Sequence, residues 1–505
     1  MLATMRFLKL WAQTRILAFR AKAMPIRPLC SDHTPNQIDK LLDWVLDPPN
    51  EAGETQAHAQ FHREMVDHYL KQATGREHLF VVQPLFYHDP TLHASLNSQG
   101  QCKLDETLAL VRTLEWQVYG HTLAEQTSAL GDNLLSFDNI QRVKTALAKL
   151  PAVSAVLVST YNLSQSQRHV LEEEFGLPVL DRYHLILQIF HRHARTREAK
   201  LQVTLSEIPY LKRRLYQDMA LENDNKHSKQ RMGKLYFEKR VTAMKKREKQ
   251  IHMALSKVKD QRAVLRRERT KQGRFPSVAV VGYTNSGKTS LIQALTGDNL
   301  EPKDKLFATL DVTVHQGQLP NLAPVLFVDT VGFISDIPTQ LIASFASTLE
   351  DATLADLIIH VRDISHPDTV EQNSNVLKTL QSLDLPESLF RSMIVVGNKV
   401  DKVPSDQWLT LNNGGALIPI SATQGLGLDF LLGRVQQGIM LATGRRYVRV
   451  RCRQGSEEYL WLHKFVTVSE TQVDSNDFNY VILKVVMSQR EMEQFKSRHR
   501  LAHQS

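Results

Sequence analysis

A short strand followed by a glycine-bearing loop constrains the fold of this 505-residue chain more than any other stretch. Val278 to Val281 form an apolar run of the kind that fills a buried parallel strand. The next eight residues match GxxxxGK[ST], a pattern in which loop N–H groups cradle phosphates, Lys288 reaches the terminal phosphates and the Thr289 hydroxyl ligates Mg²⁺. The pattern predicts a P-loop domain. Its predicted nucleotide contacts are Gly282, Tyr283, Thr284, Asn285, Ser286, Gly287, Lys288, Thr289 and Ser290.

A second apolar strand, Val325 to Val328, ends in a DxxG motif on the phosphate side of the predicted site. In this motif Asp329 would hold Mg²⁺, and the Gly332 N–H group would sense the γ-phosphate. Thr309 lies between the two motifs, where a switch threonine closes over the metal ion and the γ-phosphate. The predicted Mg²⁺ ligands are Thr289, Thr309 and Asp329. The predicted catalytic residues are Lys288, Thr309 and Gly332.

Two later strands lead to residues that suit a guanine base. One runs into Asn398-Lys399-Val400-Asp401, an NKxD pattern in which Asp401 pairs with the N1 and N2 donors of guanine. Adenine lacks this pair of donors, so the pattern predicts GTP over ATP. The other strand, Leu417 to Ile420, delivers two residues whose backbone can meet the guanine carbonyl. The predicted contacts on this side are Asn398, Lys399, Asp401, Ser421 and Ala422.

The residue after the DxxG glycine indicates an unusual route to hydrolysis. In Ras-like GTPases a glutamine at this position orients the attacking water, whereas here Phe333 follows Gly332. A phenyl ring cannot hydrogen-bond water in this way, so we expect slow hydrolysis until another group or a partner places the water. Asn285 either coordinates K⁺ beside the β- and γ-phosphates or only stabilises the loop. A comparison of turnover in KCl and NaCl distinguishes these two roles.

The length and composition of the chain indicate several domains and a polyanionic partner. At roughly 100 to 200 residues each, three or four domains are expected. Cys30, Cys102 and Cys452 lie far apart without CxxC spacing, which favours a reducing compartment over a disulfide framework or a zinc site. No apolar run approaches the ~18 residues that span a bilayer. The formal charge of +9 favours binding to a polyanion.

The first 31 residues have the composition of a mitochondrial presequence. They contain six basic residues, no acid precedes Asp32, and apolar side chains such as Leu8 and Trp11 lie between the bases. This amphipathic, acid-free pattern is typical of organelle addresses, and its apolar runs are too short for a secretory signal. We therefore predict that residues 1–31 direct the protein to the mitochondrial matrix and are removed on import. A disordered basic tail is the alternative.

Residues 32–205 alternate between predicted strands and helices, which favours a small α/β domain. The expected strands are 79–82, 155–158 and 179–180, and the expected helices are 104–114 and 164–175. No catalytic pattern is found in this part of the sequence. His191 and His193 lie in a short basic helical stretch, which favours surface or RNA-facing positions over metal ligation.

Positive charge is concentrated in residues 206–273. Residues 209–274 contain 21 Lys and Arg against seven Asp and Glu, a local excess of 14. Apolar residues at helical spacing over 240–270 predict a long helix, with 210–221 as its antiparallel partner. The solvated face of a coiled coil usually combines acidic and basic residues in similar numbers, whereas this segment is strongly basic. The imbalance favours contact with RNA. The predicted RNA contacts are Lys212, Arg213, Arg214, Lys226, Lys229, Arg231, Lys234, Lys245, Lys246 and Arg247.

Residues 444–505 follow the nucleotide domain, 274–443, and are expected to form a small α+β domain. The expected strands are 447–453, 459–468 and 480–486, followed by a helix at 490–498. Alternating arginines on the first strand either contact RNA or only keep the protein soluble. The predicted fold class is therefore α/β multidomain, with a small N-terminal α/β domain, a basic helical hairpin, a Ras-like P-loop GTPase domain and a small α+β C-terminal domain.

The sequence resembles the HflX family of GTPases over roughly Leu104 to Thr443. The matching segments are 180–182, 186–190, 194–203, 281–285, 306–311, 329–333, 347–350 and 360–367. With the presequence, the resemblance points to the mitochondrial member of the family. HflX proteins bind the large ribosomal subunit, insert the loop of their helical domain toward the peptidyl transferase centre, and separate the subunits in the GTP state.

The resemblance implies a monomeric GTPase that uses GTP, GDP and Mg²⁺ and binds the large subunit of the mitochondrial ribosome and its rRNA. Splitting of ribosomes is the first function expected, and late assembly of the large subunit, which uses the same domains, is the alternative. An RNA-modification GTPase would need an attached catalytic site, and the sequence contains none. A structural RNA-binding protein is disfavoured because Lys288, Thr289, Asp329 and Asp401 are all present.

Overall fold

Strands in the described part of the chain form three separate sheets, each packed against helices. The computed structural model describes residues 42–43, 45–48, 54–69, 78–86, 93–126, 134–223, 230–271, 275–298, 313–334, 354–382, 385–404, 417–475 and 477–500. Among these residues no helix is long and apolar enough to cross a membrane. The predicted α/β multidomain class is confirmed.

The first sheet is parallel and belongs to the N-terminal domain. Its elements are α1 (Glu54–Tyr69), β1 (His78–Phe86), α2 (His93–Thr113), β2 (Gln117–Gln126), α3 (Phe137–Ala148), β3 (Ala155–Val158), α4 (Gln165–Phe175), β4 (Val179–Asp181) and α5 (Arg182–His193). The strand order is β2-β1-β3-β4. The central strands are apolar and buried, as predicted. Strand β2 was not predicted, because an edge strand exposes polar side chains and carries no apolar run.

Two long helices, α6 (Arg197–Asn223) and α7 (Gln230–Lys271), confirm the predicted hairpin. An ion pair joins Lys212 to Glu248, and the rings of Tyr216 and Phe237 lie 5.0 Å apart. Residue numbers rise along one helix as they fall along the other, so the helices are antiparallel. The predicted boundary between the N-terminal domain and the hairpin, at residues 205 and 206, lies inside helix α6. The two domains therefore share this helix.

One predicted RNA contact on this hairpin is instead a packing residue. The Arg247 side chain is 3% exposed, and its Nη1 donates to the Val45 carbonyl. Burial and, to a lesser degree, the nearby Arg63 charge together lower the pKa of the Arg247 guanidinium to about 10. Lys245 and Lys246 are exposed, but the next step of the helix turns Arg247 inward. The prediction that Arg247 contacts RNA is therefore wrong.

The second sheet carries the nucleotide motifs. Its elements are β5 (Ser277–Gly282), α8 (Lys288–Thr296), β6 (Thr313–Gln318), β7 (Pro324–Asp329), β8 (Leu357–Asp363), α9 (Thr369–Gln381), α10 (Glu387–Arg391), β9 (Ile394–Asn398), β10 (Leu417–Pro419) and α11 (Leu428–Thr443). The strand order is β10-β9-β8-β5-β7-β6, and only β6 is antiparallel to its neighbour. All four predicted motifs therefore follow the carboxyl ends of parallel strands, where α/β sheets bind ligands.

The third sheet is antiparallel and forms the C-terminal domain. Its elements are β11 (Arg446–Arg453), α12 (Glu457–Phe465), β12 (Thr467–Val473), β13 (Tyr480–Met487) and α13 (Gln489–Arg500), with strand order β11-β13-β12. The predicted strand at 459–468 is wrong, because most of it is helix α12. The Ser456 hydroxyl caps that helix by accepting the Tyr459 N–H at 3.3 Å, and Trp461 and Leu462 are buried against the sheet.

Replacement of Arg247 by alanine tests its role in packing. We expect Arg247→Ala to lower the free energy of unfolding by about 1–3 kcal/mol, because the Val45 carbonyl would lose its donor inside the fold. The matched control, Lys245→Ala on the exposed face of α7, should stay within about 0.5 kcal/mol of the parent. Thermal unfolding of both variants provides the comparison, and equal effects would contradict the packing role.

Candidate nucleotide site

The loop between β5 and α8 has the backbone shape of a phosphate cradle. Gly287 has a φ of 91° and Asn285 a φ of 59°, and both values lie in the left-handed region that these residue types tolerate. A Cβ atom at position 287 would lie 2.2 Å from the Asn398 amide nitrogen, so only glycine fits there. Helix α8 begins directly after this turn, and N–H groups in the first turn of a helix bind anions.

Lys288 is buried beneath the loop. Its Nζ donates to the Gly282 carbonyl at 3.3 Å and to the Tyr283 carbonyl at 3.0 Å. Burial lowers the pKa of Lys288 to about 8, and the nearby Asp329 carboxylate opposes that shift. A phosphate beside the ammonium would raise the pKa again, because it adds negative charge. The lysine is thus positioned for the anionic end of a nucleotide.

Thr289 and Asp329 bring two side-chain oxygen atoms together. Thr289 Oγ1 donates to Asp329 Oδ2 at 2.7 Å, and Asp329 is buried at the end of β7. A hydroxyl and a carboxylate are donors that suit Mg²⁺, so the residues fit this ion. The buried hydroxyls of Thr284 and Ser286 have no hydrogen-bond partner among the described residues. They are therefore two further polar groups of the loop that a ligand can use.

The DxxG segment lies directly on the phosphate loop. The Thr284 N–H donates to the Phe333 carbonyl at 2.6 Å, and the Phe333 N–H donates to the Gly282 carbonyl at 3.1 Å. A Cβ atom at Gly332 would lie 2.9 Å from Thr284 Cα and 3.0 Å from Lys288 Nζ. The Phe333 side chain is 3% exposed. The segment that follows β7 therefore pairs with the phosphate loop through its backbone, and its aromatic ring is buried.

Asn398 connects the base side of the site to the phosphate side. Its Nδ2 donates to the Ser286 carbonyl at 2.9 Å, and its Oδ1 accepts the Ala422 N–H at 3.1 Å. The neighbouring Lys399 donates to the Asn285 carbonyl at 2.8 Å. One buried amide therefore holds the phosphate loop and the Ser421-Ala422 loop in register.

Two acidic residues flank this base side. Asp363, at the end of β8, lies 2.7 Å from the ammonium nitrogen of Lys399 and fixes its orientation. It had no predicted role, although it belongs to a segment that resembles the family. Asp401 lies in a short 3₁₀ turn, and its carboxylate is exposed. The carboxylate is therefore accessible to a guanine base.

An unpredicted contact joins the phosphate loop to the N-terminal domain. The Tyr283 hydroxyl donates to Glu106 Oε1 at 2.8 Å, and Arg182 Nη2 donates to the same oxygen at 2.8 Å. Arg182 is buried, and Glu106 lies on helix α2. A cavity of about 180 Å³ lies between this helix and the nucleotide domain. No sequence motif could mark Glu106, because it is one of several polar residues on an amphipathic helix.

Some predicted site residues lie outside the described residues. They are Thr309, Lys226 and Lys229, together with the family-like segments 306–311 and 347–350. The side chains of Arg231 and Lys234 are also outside the description. Thr309 therefore stays a prediction as a switch residue and Mg²⁺ ligand.

The described basic residues of the hairpin differ in their surroundings. Lys245 and Lys246 are exposed, and Arg213 is half-buried. Lys212 pairs with Glu248, while Arg214 Nε donates to the Tyr210 hydroxyl at 3.2 Å. Among the described residues of the predicted RNA surface, Lys245 and Lys246 are therefore the most accessible.

Three family models match the chain in succession. Residues 101–191 and 193–269 match the N-terminal and middle regions of a GTP-binding GTPase family, and residues 277–399 match a family described as 50S ribosome-binding GTPase. GTPase HflX of Akkermansia muciniphila is 35% identical over 68% of this chain and 80% of its own length. The chain belongs to the HflX family of GTPases. The resemblance found in the sequence is therefore confirmed.

Other relatives of this HflX-family chain come from animals and plants. GTP-binding protein 6 of Xenopus laevis is 38% identical over 82% of this chain and 78% of its own length, and that of Homo sapiens is 39% identical over 75% and 73%. A chloroplastic GTP-binding protein of Arabidopsis thaliana is 33% identical over 66% and 60%. Among solved structures, a GTP-binding protein of Sulfolobus solfataricus in complex with GDP is 22% identical and covers 71% of this chain and 99% of that chain, with a TM-score of 0.37.

Replacement of Asp401 by asparagine tests the role of its carboxylate in base recognition. We expect Asp401→Asn to weaken GTP binding about 100-fold and to favour XTP, because an amide can donate to the xanthine oxygen but cannot accept both guanine donors. Competition of GTP and XTP for a fluorescent nucleotide measures the preference. Asp429→Asn, on the exposed start of α11, is the matched control and should keep the preference of the parent. Continued preference of Asp401→Asn for GTP would contradict the assignment.

Proposed function

We propose that this HflX-family protein is a GTPase that binds the large subunit of the mitochondrial ribosome and, in its GTP state, splits ribosomes into subunits. The observation that carries the proposal is the basic hairpin placed next to the nucleotide domain: α7 ends at Lys271, and β5 begins at Ser277. A long helical pair with excess positive charge suits a surface of RNA phosphates. The match to a family described as 50S ribosome-binding GTPase supports this partner.

In the proposed GTP complex, the phosphate loop and Lys288 bind the β- and γ-phosphates, and Asp401 selects guanine. Thr289 and Asp329, together with Thr309, would hold Mg²⁺, which when bound neutralises charge on the phosphate oxygens. Lys288 adds a positive charge that is already desolvated, and so interacts strongly with the phosphate charge that develops during hydrolysis. Potassium coordination by Asn285 stays a prediction.

The γ-phosphate of bound GTP would lie next to the DxxG segment. A phosphate oxygen that accepts from both Lys288 and the Gly332 N–H needs space between them, but Gly332 lies against Lys288 and Thr284 in this structure. We infer that GTP displaces the segment and breaks the backbone pairing of Phe333 with the phosphate loop. After hydrolysis the pairing can form again. The two nucleotide states would therefore differ in the surface that surrounds the site, which is how a GTPase changes its affinity for a partner.

The position that commonly holds a catalytic glutamine is occupied by the buried Phe333. Its ring neither donates nor accepts a conventional hydrogen bond, so the free protein would orient the attacking water poorly and hydrolyse GTP slowly. We propose that binding to the ribosome orients the attacking water. This arrangement would delay hydrolysis until the protein has engaged its partner, after which hydrolysis releases it.

The N-terminal composition and the relatives support an organellar location. The acid-free basic segment 1–31 has the properties of an organelle address. One relative bears the name chloroplastic, which supports an organellar branch of the family. We propose the mitochondrial matrix as the site of action, where large-subunit rRNA is the polyanionic partner.

Light scattering of mitochondrial ribosomes tests the proposed function. Purified monosomes are mixed with the protein and GTP or a non-hydrolysable analogue, and the products are then separated on a gradient. We expect the scattering to fall with either nucleotide and the protein to sediment with the large subunit. The variant Lys245→Glu/Lys246→Glu should lose splitting but keep basal GTP hydrolysis, since these residues lie on the hairpin and away from the nucleotide site.

The same experiment separates splitting from assembly. Unchanged scattering, with binding only to free or immature large subunits, would contradict splitting and favour a role in late assembly. Absence of binding to any particle would contradict the ribosomal proposal altogether. The variant Lys288→Ala, which should not bind nucleotide, is the negative control.

A further inference from the structure

The C-terminal sheet has one covered face and one exposed basic face. Helices α12 and α13 cover the first through a core that includes Trp461, Leu462, Leu483 and Val485. The other face of the edge strand β11 carries Arg449, Arg451 and Arg453, all exposed. The matched family regions end at residue 399, before this domain begins. We propose that this exposed face, defined by Arg449, Arg451, Arg453, Tyr480 and Lys484, binds single-stranded RNA.

The register of the sheet arranges these side chains as a platform. Arg449 lies opposite Lys484, and Arg453 lies opposite Tyr480 on the neighbouring strand. The Arg451 guanidinium lies 4.2 Å from the centre of the Tyr480 ring. Single-stranded RNA is commonly bound by sheets whose aromatic and arginine side chains stack on the bases while cations contact the phosphates. The face provides both kinds of group side by side.

Two arginines of the exposed face are available to bind an anion. Arg451 is held by Asp474 at 2.5 Å, and Lys484 lies 3.7 Å from Glu470. No ion pair engages Arg449 or Arg453 within the described part of the chain. These two residues are four positions apart on an extended strand, roughly 13 Å along its axis, which suits contacts to separate phosphates of an extended single strand.

The nucleotide domain contacts one end of this sheet, so RNA can bind only to the part of the exposed face that is remote from that domain. Gln436 of helix α11 donates to the Tyr447 hydroxyl at 3.1 Å, so that domain reaches the first residues of β11. Tyr480 and Arg453 lie at the opposite end of the paired strands. A flexible single strand fits this short surface better than a rigid duplex. The choice of RNA over DNA rests on the proposed ribosomal function.

Fluorescence anisotropy with labelled 12-nucleotide RNA tests the platform in the full chain. We expect Arg449→Ala/Arg453→Ala to reduce the slope of log affinity against log salt by about 1.4, because two phosphate contacts are lost. Tyr480→Val, which keeps a strand-forming residue, should weaken binding roughly five- to 150-fold through loss of stacking. The matched control, Lys496→Ala/Arg498→Ala on helix α13, removes the same charge from the covered side and should leave both quantities unchanged.

Further experiments distinguish this face from the hairpin as the binding site, and RNA from DNA as the ligand. Ultraviolet crosslinking of the same RNA, followed by peptide mass spectrometry, should locate a crosslink at Tyr480, and basal GTP hydrolysis should stay that of the parent in every variant. Tighter binding of single-stranded DNA than of RNA of the same sequence would contradict RNA as the ligand. Unchanged affinity and salt slope in Arg449→Ala/Arg453→Ala, with crosslinks only on the hairpin, would overturn the proposal. Since the assay contains no ribosomes, that outcome would leave the splitting proposal intact.

Discussion

The backbone pairing of Phe333 with the phosphate loop is the constraint on which the proposed cycle depends. Two hydrogen bonds tie the segment after β7 to the loop after β5, and Gly332 lies close to the Lys288 ammonium as a result. A side chain at position 332 would collide with Thr284, so the approach requires glycine. The same closeness leaves little space for a γ-phosphate. In the proposed GTP complex the nucleotide and the segment would therefore compete for one position, and this competition would link the site to the rest of the molecule.

Much of the nucleotide site could be predicted from local sequence. Buried parallel strands carry continuous apolar runs, so the predicted strand at 155–158 coincides with β3, and Val278 to Val281 lie within β5. Parallel strands bring their carboxyl ends to one edge, so motifs far apart in sequence meet there. Glycine at position 287 identifies a left-handed turn beside Asn398. These rules concern short stretches and depend little on the remainder of the fold.

The features that were missed depend on long-range packing. Arg247 belongs to a basic run, and only the packing of Val45 against α7 decides that it is buried. Glu106 contacts Tyr283 across two domains that are far apart in the sequence. The segment 459–468 is rich in aromatic and apolar residues, as strands often are, but the Ser456 cap and burial of Trp461 favour a helix. In each case a tertiary contact overrides or supplements the local pattern.

Hydrogen exchange at the Phe333 amide tests the coupling most directly. Exchange is followed by mass spectrometry for the protein with GDP and with a non-hydrolysable GTP analogue, and the amides of strand β8 serve as the internal reference. The account predicts faster exchange at Phe333 with the GTP analogue, because its hydrogen bond to the Gly282 carbonyl is broken. Equal protection in the two nucleotide states would contradict displacement of the segment by the γ-phosphate.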